Sequence, residues 1–386
     1  MNLAPLSRPM LQIYGLSVLF FTSSSMLTVL FPLQAESDAM KVSEIGIVMG
    51  IYMLVCMIIR PYAGRIVSKY SSYTVMKYLL LVHDVTLCIY IVFGINGIYV
   101  VRVLQGVTTA FFSMAIQQAI TKILSNADRG QGMSMYSLSS VVPSLYGPAV
   151  ALLLWNDAKG YIPFFILVLA LIPLLCFVKS PFPKERENLP SFSVRSMFTV
   201  AYNMRKEPIL YLASFIMLVG ALVFSAIATF LPLYAMKEHV GNPSIYLFLQ
   251  AVVIVGSRFT LRKKIPSDGK WHPRFILLVL LSSVLGTLLL AGETGFYIAA
   301  IFNGLASAML YPTLTTYITF AVKSEQNGML LGVFLAFYDL GFALGSLATG
   351  FIIEYVSYNA MFMVCSVLSI LCMVLIIVFK NAKVYF

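Results

Sequence analysis

Residues 98–122 read IYVVRVLQGVTTAFFSMAIQQAITK, a stretch whose only charge before the closing Lys122 is Arg102. A hydrocarbon layer about 30 Å thick is crossed by about 20 helical residues, so this segment is long enough to span it. Gln105, Gly106, Thr109, Ser113 and Gln117 follow Arg102 at roughly helical spacing, which draws one polar stripe along an otherwise apolar helix. Donors facing lipid would stay unsatisfied, so the stripe must face protein or a watery cavity. Two readings of Arg102 follow: a cavity-lining cation, or a side chain that snorkels to the outer surface while Gln105 bonds a neighbouring helix.

Apolar runs of the same length recur on both sides of this one. Over 386 residues, 60% are apolar and 11% charged, against roughly a quarter charged in a soluble domain. Twelve spans are predicted near 10–33, 43–67, 76–95, 98–122, 130–155, 161–179, 208–235, 244–262, 273–292, 295–320, 328–354 and 358–380. The first is too long for the apolar core of a cleavable leader. The expected fold is therefore an all-α membrane protein with 12 transmembrane helices.

Net charge is +11, yet no Lys/Arg run is long enough for a nucleic-acid arm. With both termini in the cytoplasm, 22 of the 26 basic residues lie on the inner side, and only Lys41, Lys159 and Lys237 lie outside. That bias fixes the orientation expected of a multi-pass protein in a cytoplasmic membrane. Cys56, Cys88, Cys176, Cys365 and Cys372 all fall in apolar runs and read as small hydrophobes, neither disulfides nor metal ligands. No phosphate loop, metal cluster or nucleophile elbow occurs, which argues against ATP-driven pumping, against an enzyme and against any cofactor.

The longest polar stretch divides the chain into residues 1–179, a cytoplasmic linker 180–207 and residues 208–386, six spans on either side. Within the linker, Val194 to Arg205 could form a short amphipathic helix. The halves repeat weakly. Phe31-Pro32-Leu33 answers to Leu231-Pro232-Leu233, Arg60 to Arg258, Gln105-Gly106 to Asn303-Gly304, and Gly132-Met133 to Gly328-Met329. Internal repeats are a transporter signature, and two parallel six-helix bundles around a central cavity are expected.

Quieter stripes join that of span 4: Ser17, Ser24 and Thr28; Tyr211, Ser214, Ser225 and Thr229; and Asn303, Ser307 and Tyr311. Each alone could be interhelical glue, but together they trace one pathway. Candidate cargo contacts are thus Arg102, Gln105, Thr109, Ser113, Ser24, Thr28, Tyr211, Ser214, Asn303, Ser307 and Tyr311. Asp339, in the middle of span 11, is either a proton-coupling acid or a structural acid bonded to a neighbouring helix or paired with Arg60 or Arg258. His83-Asp84 on span 3 is a second titratable pair, read as a local polar contact. Pro143, Gly147 and Pro148 distort span 5, as a pivot or through close packing.

These residues resemble the major facilitator superfamily. Arg102-Val-Leu-Gln105-Gly106 is similar to its span-4 motif, and Gly147-Pro148 to the core of its antiporter motif, without that motif's other glycines. Arg60-Pro61-Tyr-Ala-Gly64-Arg-Ile-Val-Ser68-Lys69 resembles its cytoplasmic-gate motif, with Ser68 where an acidic residue is usual. The resemblance implies gating roles for Arg60, Gly64, Lys69 and the repeat partner Arg258. A narrower likeness, to exporters of staphylopine-type opine metallophores, rests on several stretches. They are Ile45-Gly-Ile-Val-Met-Gly-Ile-Tyr52, Ala110-Phe-Phe-Ser-Met114, Met135-Tyr-Ser-Leu138, residues 261–273, Tyr311-Pro-Thr-Leu-Thr315 and Asn327-Gly-Met-Leu-Leu-Gly332. It implies a monomeric secondary transporter that exports a small anionic metal chelator in exchange for protons, by alternating access. A multidrug/proton antiporter is the alternative; a membrane receptor or membrane-bound enzyme is a more distant one.

Overall fold

The computed structural model describes residues 4–125, 128–178, 208–261, 266, 270–292, 295–320 and 327–379. The linker 180–207, with its expected amphipathic helix, lies outside them, as does most of the 261–273 stretch. Every element in the described residues is helical: α1 Arg8–Ser37, α2 Val42–Lys69, α3 Ser72–Phe93, α4 Ile98–Ile123, α5 Arg129–Val141, α6 Pro143–Asp157 and α7 Ile162–Phe177. There follow α8 Pro208–Glu238, α9 Pro243–Thr260, α10 Pro273–Ala291, α11 Phe296–Phe320, α12 Asn327–Tyr355 and α13 Tyr358–Val378.

Ten stretches among the described residues are long and apolar enough to cross a membrane. One of them, Ser72–Ile120, holds both α3 and α4, and the apolar α9 is shorter. Twelve spans fit this set once α3 and α4 are separated and α9 is added. Large apolar side chains are exposed along them; Val92 is 74% and Leu175 68% exposed. Such surface is matched by lipid tails, not water. The chain is a multi-pass membrane protein.

Local chemistry sets the helix ends. Gly94, at φ +53°, ends α3 in a backbone conformation that L side chains rarely adopt. Asn242 caps α9, its Oδ1 accepting from the N–H groups of Ser244 and Ile245 at 2.8 and 3.3 Å. Ser357 caps α13, its hydroxyl accepting from the Ala360 N–H at 3.1 Å. The expected fifth span is two helices, α5 and α6, because Pro143 follows Val142 and brings no N–H to the ladder. The Ser25 hydroxyl on α1 donates to the Pro143 carbonyl at 3.1 Å, tying the break to its neighbour.

Packing resolves into two compact units. One comprises Met1–Asp38 and Leu54–Ser193, the other Ala39–Met53 and Val194–Phe386. In the first, α1 packs on α5, α6 and α7, and α3 on α4 and α7. Its core includes Met10, Phe20, Leu80 and Ile116, with the rings of Phe20 and Phe112 stacked at 3.8 Å. In the second, α8 packs along α12, and α10 on α11 and α13.

The first half of α2 belongs to the second unit. Its Gly46 and Gly50 lie so close to α12 that a Cβ on Gly46 would sit 2.5 Å from the Ser346 carbonyl oxygen and 3.1 Å from the Gly350 Cα. A carboxylate oxygen of Glu354 accepts the Ser43 N–H at 3.0 Å, at the start of the same helix. Gly46→Leu is expected to cost about 1–3 kcal/mol by overpacking this seam, lowering the thermal midpoint of purified protein by a few degrees. Gly256→Leu, where an added Cβ meets nothing within 4 Å, should leave it unchanged.

Candidate functional site

In the first unit the polar stripe of α4 is buried. Arg102 is 2% exposed and lies over the Phe31 ring of α1, 4.5 Å from its centroid. Its Nη1 donates to Gln105 Oε1 at 3.3 Å, one turn further along. Tyr90 on α3 lies in its field and donates its hydroxyl to Gln34. The side chain is enclosed inside the unit, stacked on Phe31. A guanidinium over an aromatic face contributes about 1–2 kcal/mol in such a desolvated place. Phe31, Gln34 and Tyr90 had drawn no role from the sequence, since nothing local ties them to a residue on α4.

Thr109 and Ser113 are also buried, and Ser113 accepts from Nη1 of Arg60 on α2 at 3.4 Å. Arg60 also reaches the Cys56 sulfur at 3.4 Å. Gly64 and Lys69 fall within α2, and their surroundings lie outside what is described. On α1, Ser24 and Thr28 are half-buried, the Thr28 hydroxyl donating to the Ser24 carbonyl at 2.7 Å. Gly147 is buried where a Cβ would meet the Ser25 side chain at 2.5 Å, and Pro148 is half-buried in α6. Thr22 and Tyr146 join their hydroxyls across the same α1–α6 contact at 2.5 Å.

His83 is paired with Ser23 of α1, at 3.2 Å from Nε2, and not with its neighbour Asp84. The Ser23 hydroxyl donates to the Phe20 carbonyl at 2.7 Å, so the imidazole donates from Nε2. Nδ1 is buried with no hydrogen-bond partner.

In the second unit the stripes divide by exposure. Tyr211 is 49% exposed, its ring edge-on to Phe337 at 6.3 Å, while Ser214, Ser225 and Thr229 are fully buried. The Ser214 hydroxyl donates to the Leu210 carbonyl at 3.0 Å. Asn303 is buried and its Nδ2 donates to the Tyr246 hydroxyl of α9 at 2.9 Å. The following Gly304 leaves room for the Gln250 backbone and the Val253 side chain. Asn303-Gly304 thus acts as a seam between α9 and α11. Ser307 and Tyr311, further along α11, are half-buried.

Asp339 is 1% exposed in α12. Its helix neighbour Tyr338 meets Tyr311 edge to face at 5.6 Å and feels the charges of Asp339 and Arg258. The small residues beyond Asp339 are packing surface: Ala343, Ser346 and Gly350 meet Gly46 and Gly50 of α2. Among the described residues no group of three or more His, Cys, Asp or Glu side chains could hold a metal ion.

The sequence profile of the Major Facilitator Superfamily matches residues 13–267 and 267–384. The chain is 38% identical over 378 residues to the staphylopine export protein of Staphylococcus aureus strain Mu50, covering 95% of each chain. It is 22% identical over 336 residues to multidrug resistance protein 2 of Bacillus subtilis strain 168, covering 81% of this chain and 80% of that one. Among solved structures, the human organic anion transporter MFSD10 superposes with a TM-score of 0.73 at 16% identity, over 96% of this chain and 99% of that one. The nucleoside transporter NupG superposes with a TM-score of 0.71 at 16% identity, over 98% of this chain and 100% of that one. These structural likenesses concern the fold.

Proposed function

This chain belongs to the Major Facilitator Superfamily and is a multi-pass membrane transporter, not an enzyme, and from that premise we propose that it exports a small anionic metallophore of the staphylopine type. The observation that carries the proposal is 38% identity across 95% of both chains with a protein named for staphylopine export. Export runs by alternating access, in exchange for protons, from a monomer of two six-helix bundles in a bacterial cytoplasmic membrane with both termini inside.

The polar inventory supports such cargo. A polycarboxylate chelator needs cations and neutral donors that hold it without trapping it. Half-buried Ser24, Thr28, Ser307 and Tyr311 and exposed Tyr211 are direct contacts in this reading. Arg102, buried against Phe31, supplies positive potential to the stripe that runs through Gln105, Thr109 and Ser113. Ser214 and Asn303 hold the helices that carry the contacts. Asp339 is the coupling acid. Arg60, Gly64 and Lys69, and the α5–α6 break with Pro143, Gly147 and Pro148, serve the conformational cycle.

Mass spectrometry of medium and cell extract, with and without the gene, tests the proposal. Deletion should leave an opine metallophore inside the cell and deplete it from the medium. An unchanged medium would overturn metallophore export. A second reading, multidrug/proton antiport, draws on the Bacillus subtilis relative. It requires the deletion strain to retain ethidium instead.

A further inference from the structure

The sequence groups Arg258 with the gate; its surroundings suit another task. Arg258 lies in the last turn of α9, half-buried, with Nε fully enclosed and without a hydrogen-bond partner. Within electrostatic reach of it are the hydroxyls of Tyr311 on α11 and Tyr338 on α12, whose rings meet edge to face at 5.6 Å, and Tyr338 is in turn within reach of the Asp339 carboxylate. All three residues lie in the second unit. They also share a depth: Arg258 is fifteen residues from the start of α9, Tyr311 fifteen from the start of α11, and Tyr338 seventeen from the end of α12. At about 1.5 Å per residue, each is roughly 22–26 Å along its helix.

A guanidinium carries five N–H donors and a charge that does not titrate away. Enclosing it beside neutral hydroxyls costs free energy unless an anion completes the site. Tyrosine hydroxyls can donate to the same anion without neutralising the cation first. The repeat supplies an independent parallel. Arg60 donates to Ser113, 53 residues later, and Arg258 stands 53 residues before Tyr311. Each unit therefore sets an arginine of its second span beside a hydroxyl of its fourth.

We infer that Arg258, flanked by Tyr311 and Tyr338, binds a carboxylate of the exported molecule through the guanidinium fork and the two phenol hydroxyls. The inference rests on the anionic-cargo reading, and deepens it by naming a recognition group.

The test measures staphylopine binding to the full chain in nanodiscs by titration calorimetry. Arg258→Gln should raise Kd about tenfold to a hundredfold, and Arg258→Lys less, because a point charge replaces a fork. Tyr338→Phe should raise it about threefold to tenfold. Staphylopine analogues carrying one carboxamide in place of each carboxylate in turn identify the group that is bound. For one of them the losses from the analogue and from Arg258→Gln should fail to add, which a merely structural arginine would not produce.

A Kd within twofold of wild type for Arg258→Gln, or additive losses for every analogue, overturns the inference. If Arg258→Gln does not fold, Arg258→Lys and Tyr338→Phe decide by the same analogue comparison. If wild type binds no staphylopine, the cargo reading fails instead. Protection of Arg258 from phenylglyoxal by citrate, but not by its triamide, then decides the arginine's role: protection supports carboxylate binding and its absence overturns it.

Discussion

Asp339→Asn is expected to leave cargo exchange running while abolishing accumulation driven by a proton gradient. The side chain is 1% exposed within α12, beside Tyr338, so any charge it carries is held away from bulk water. Desolvation favours the neutral acid and contact with water favours the carboxylate, so a carboxyl moved between the two environments loads and releases a proton. Asparagine keeps the size and most of the hydrogen bonding but cannot titrate. Counterflow in proteoliposomes should therefore continue near the wild-type rate. Uphill transport should fall to background, and its dependence on pH should flatten. A variant that still concentrates cargo with the wild-type pH profile would remove Asp339 from the coupling role. His83, whose Nδ1 is enclosed without a partner, would be the next residue to replace.

Arg102→Ala is expected to cut export at least tenfold at matched protein amount, with the chain still inserted and eluting as one species. Truncation removes the cation over Phe31 and the donor to Gln105, whose Nε2 is already enclosed without a partner. Arg102→Lys restores charge without the planar face, and should recover part of the activity. Export from whole cells, normalised to the amount of transporter in the membrane, checks both. Unchanged export in Arg102→Ala would confine this arginine to holding α1 against α4.

Span lengths and the stripe that Arg102 shares with Gln105 were legible in the sequence, because each depends on composition or on one helical turn. The bonds that place the site were not. Asn303 meets Tyr246 from 57 residues away, His83 meets Ser23 from 60, and Ser25 reaches Pro143 from 118. Periodicity says which residues share a face of one helix. Which neighbouring helix that face meets depends on rotation about its axis, and that is set by packing. The hydroxyl stripes looked alike for this reason. Those of Ser214 and Ser225 turned out buried among helices, while Tyr211 on the same helix stands exposed. The break in span 5 was signalled by Pro143 itself, but its tether to Ser25 was not.

The seam between α2 and α12 sets glycine mostly against backbone: Gly46 against the backbones of Ser346 and Gly350, Gly50 against the Ala343 carbonyl and the Leu347 Cβ. Groups without side-chain torsions have no rotamers to freeze, whereas ordering a long side chain costs up to about 2 kcal/mol. Attraction here comes from close van der Waals approach, which loses about a quarter to a half of its strength over roughly 0.5–1 Å of separation. Such a seam is short-ranged and cheap to order, closer to a magnetic catch than to a zipper. A side chain added on the glycine face would wedge the two helices apart and forfeit the catch, which is the loss that Gly46→Leu reads out.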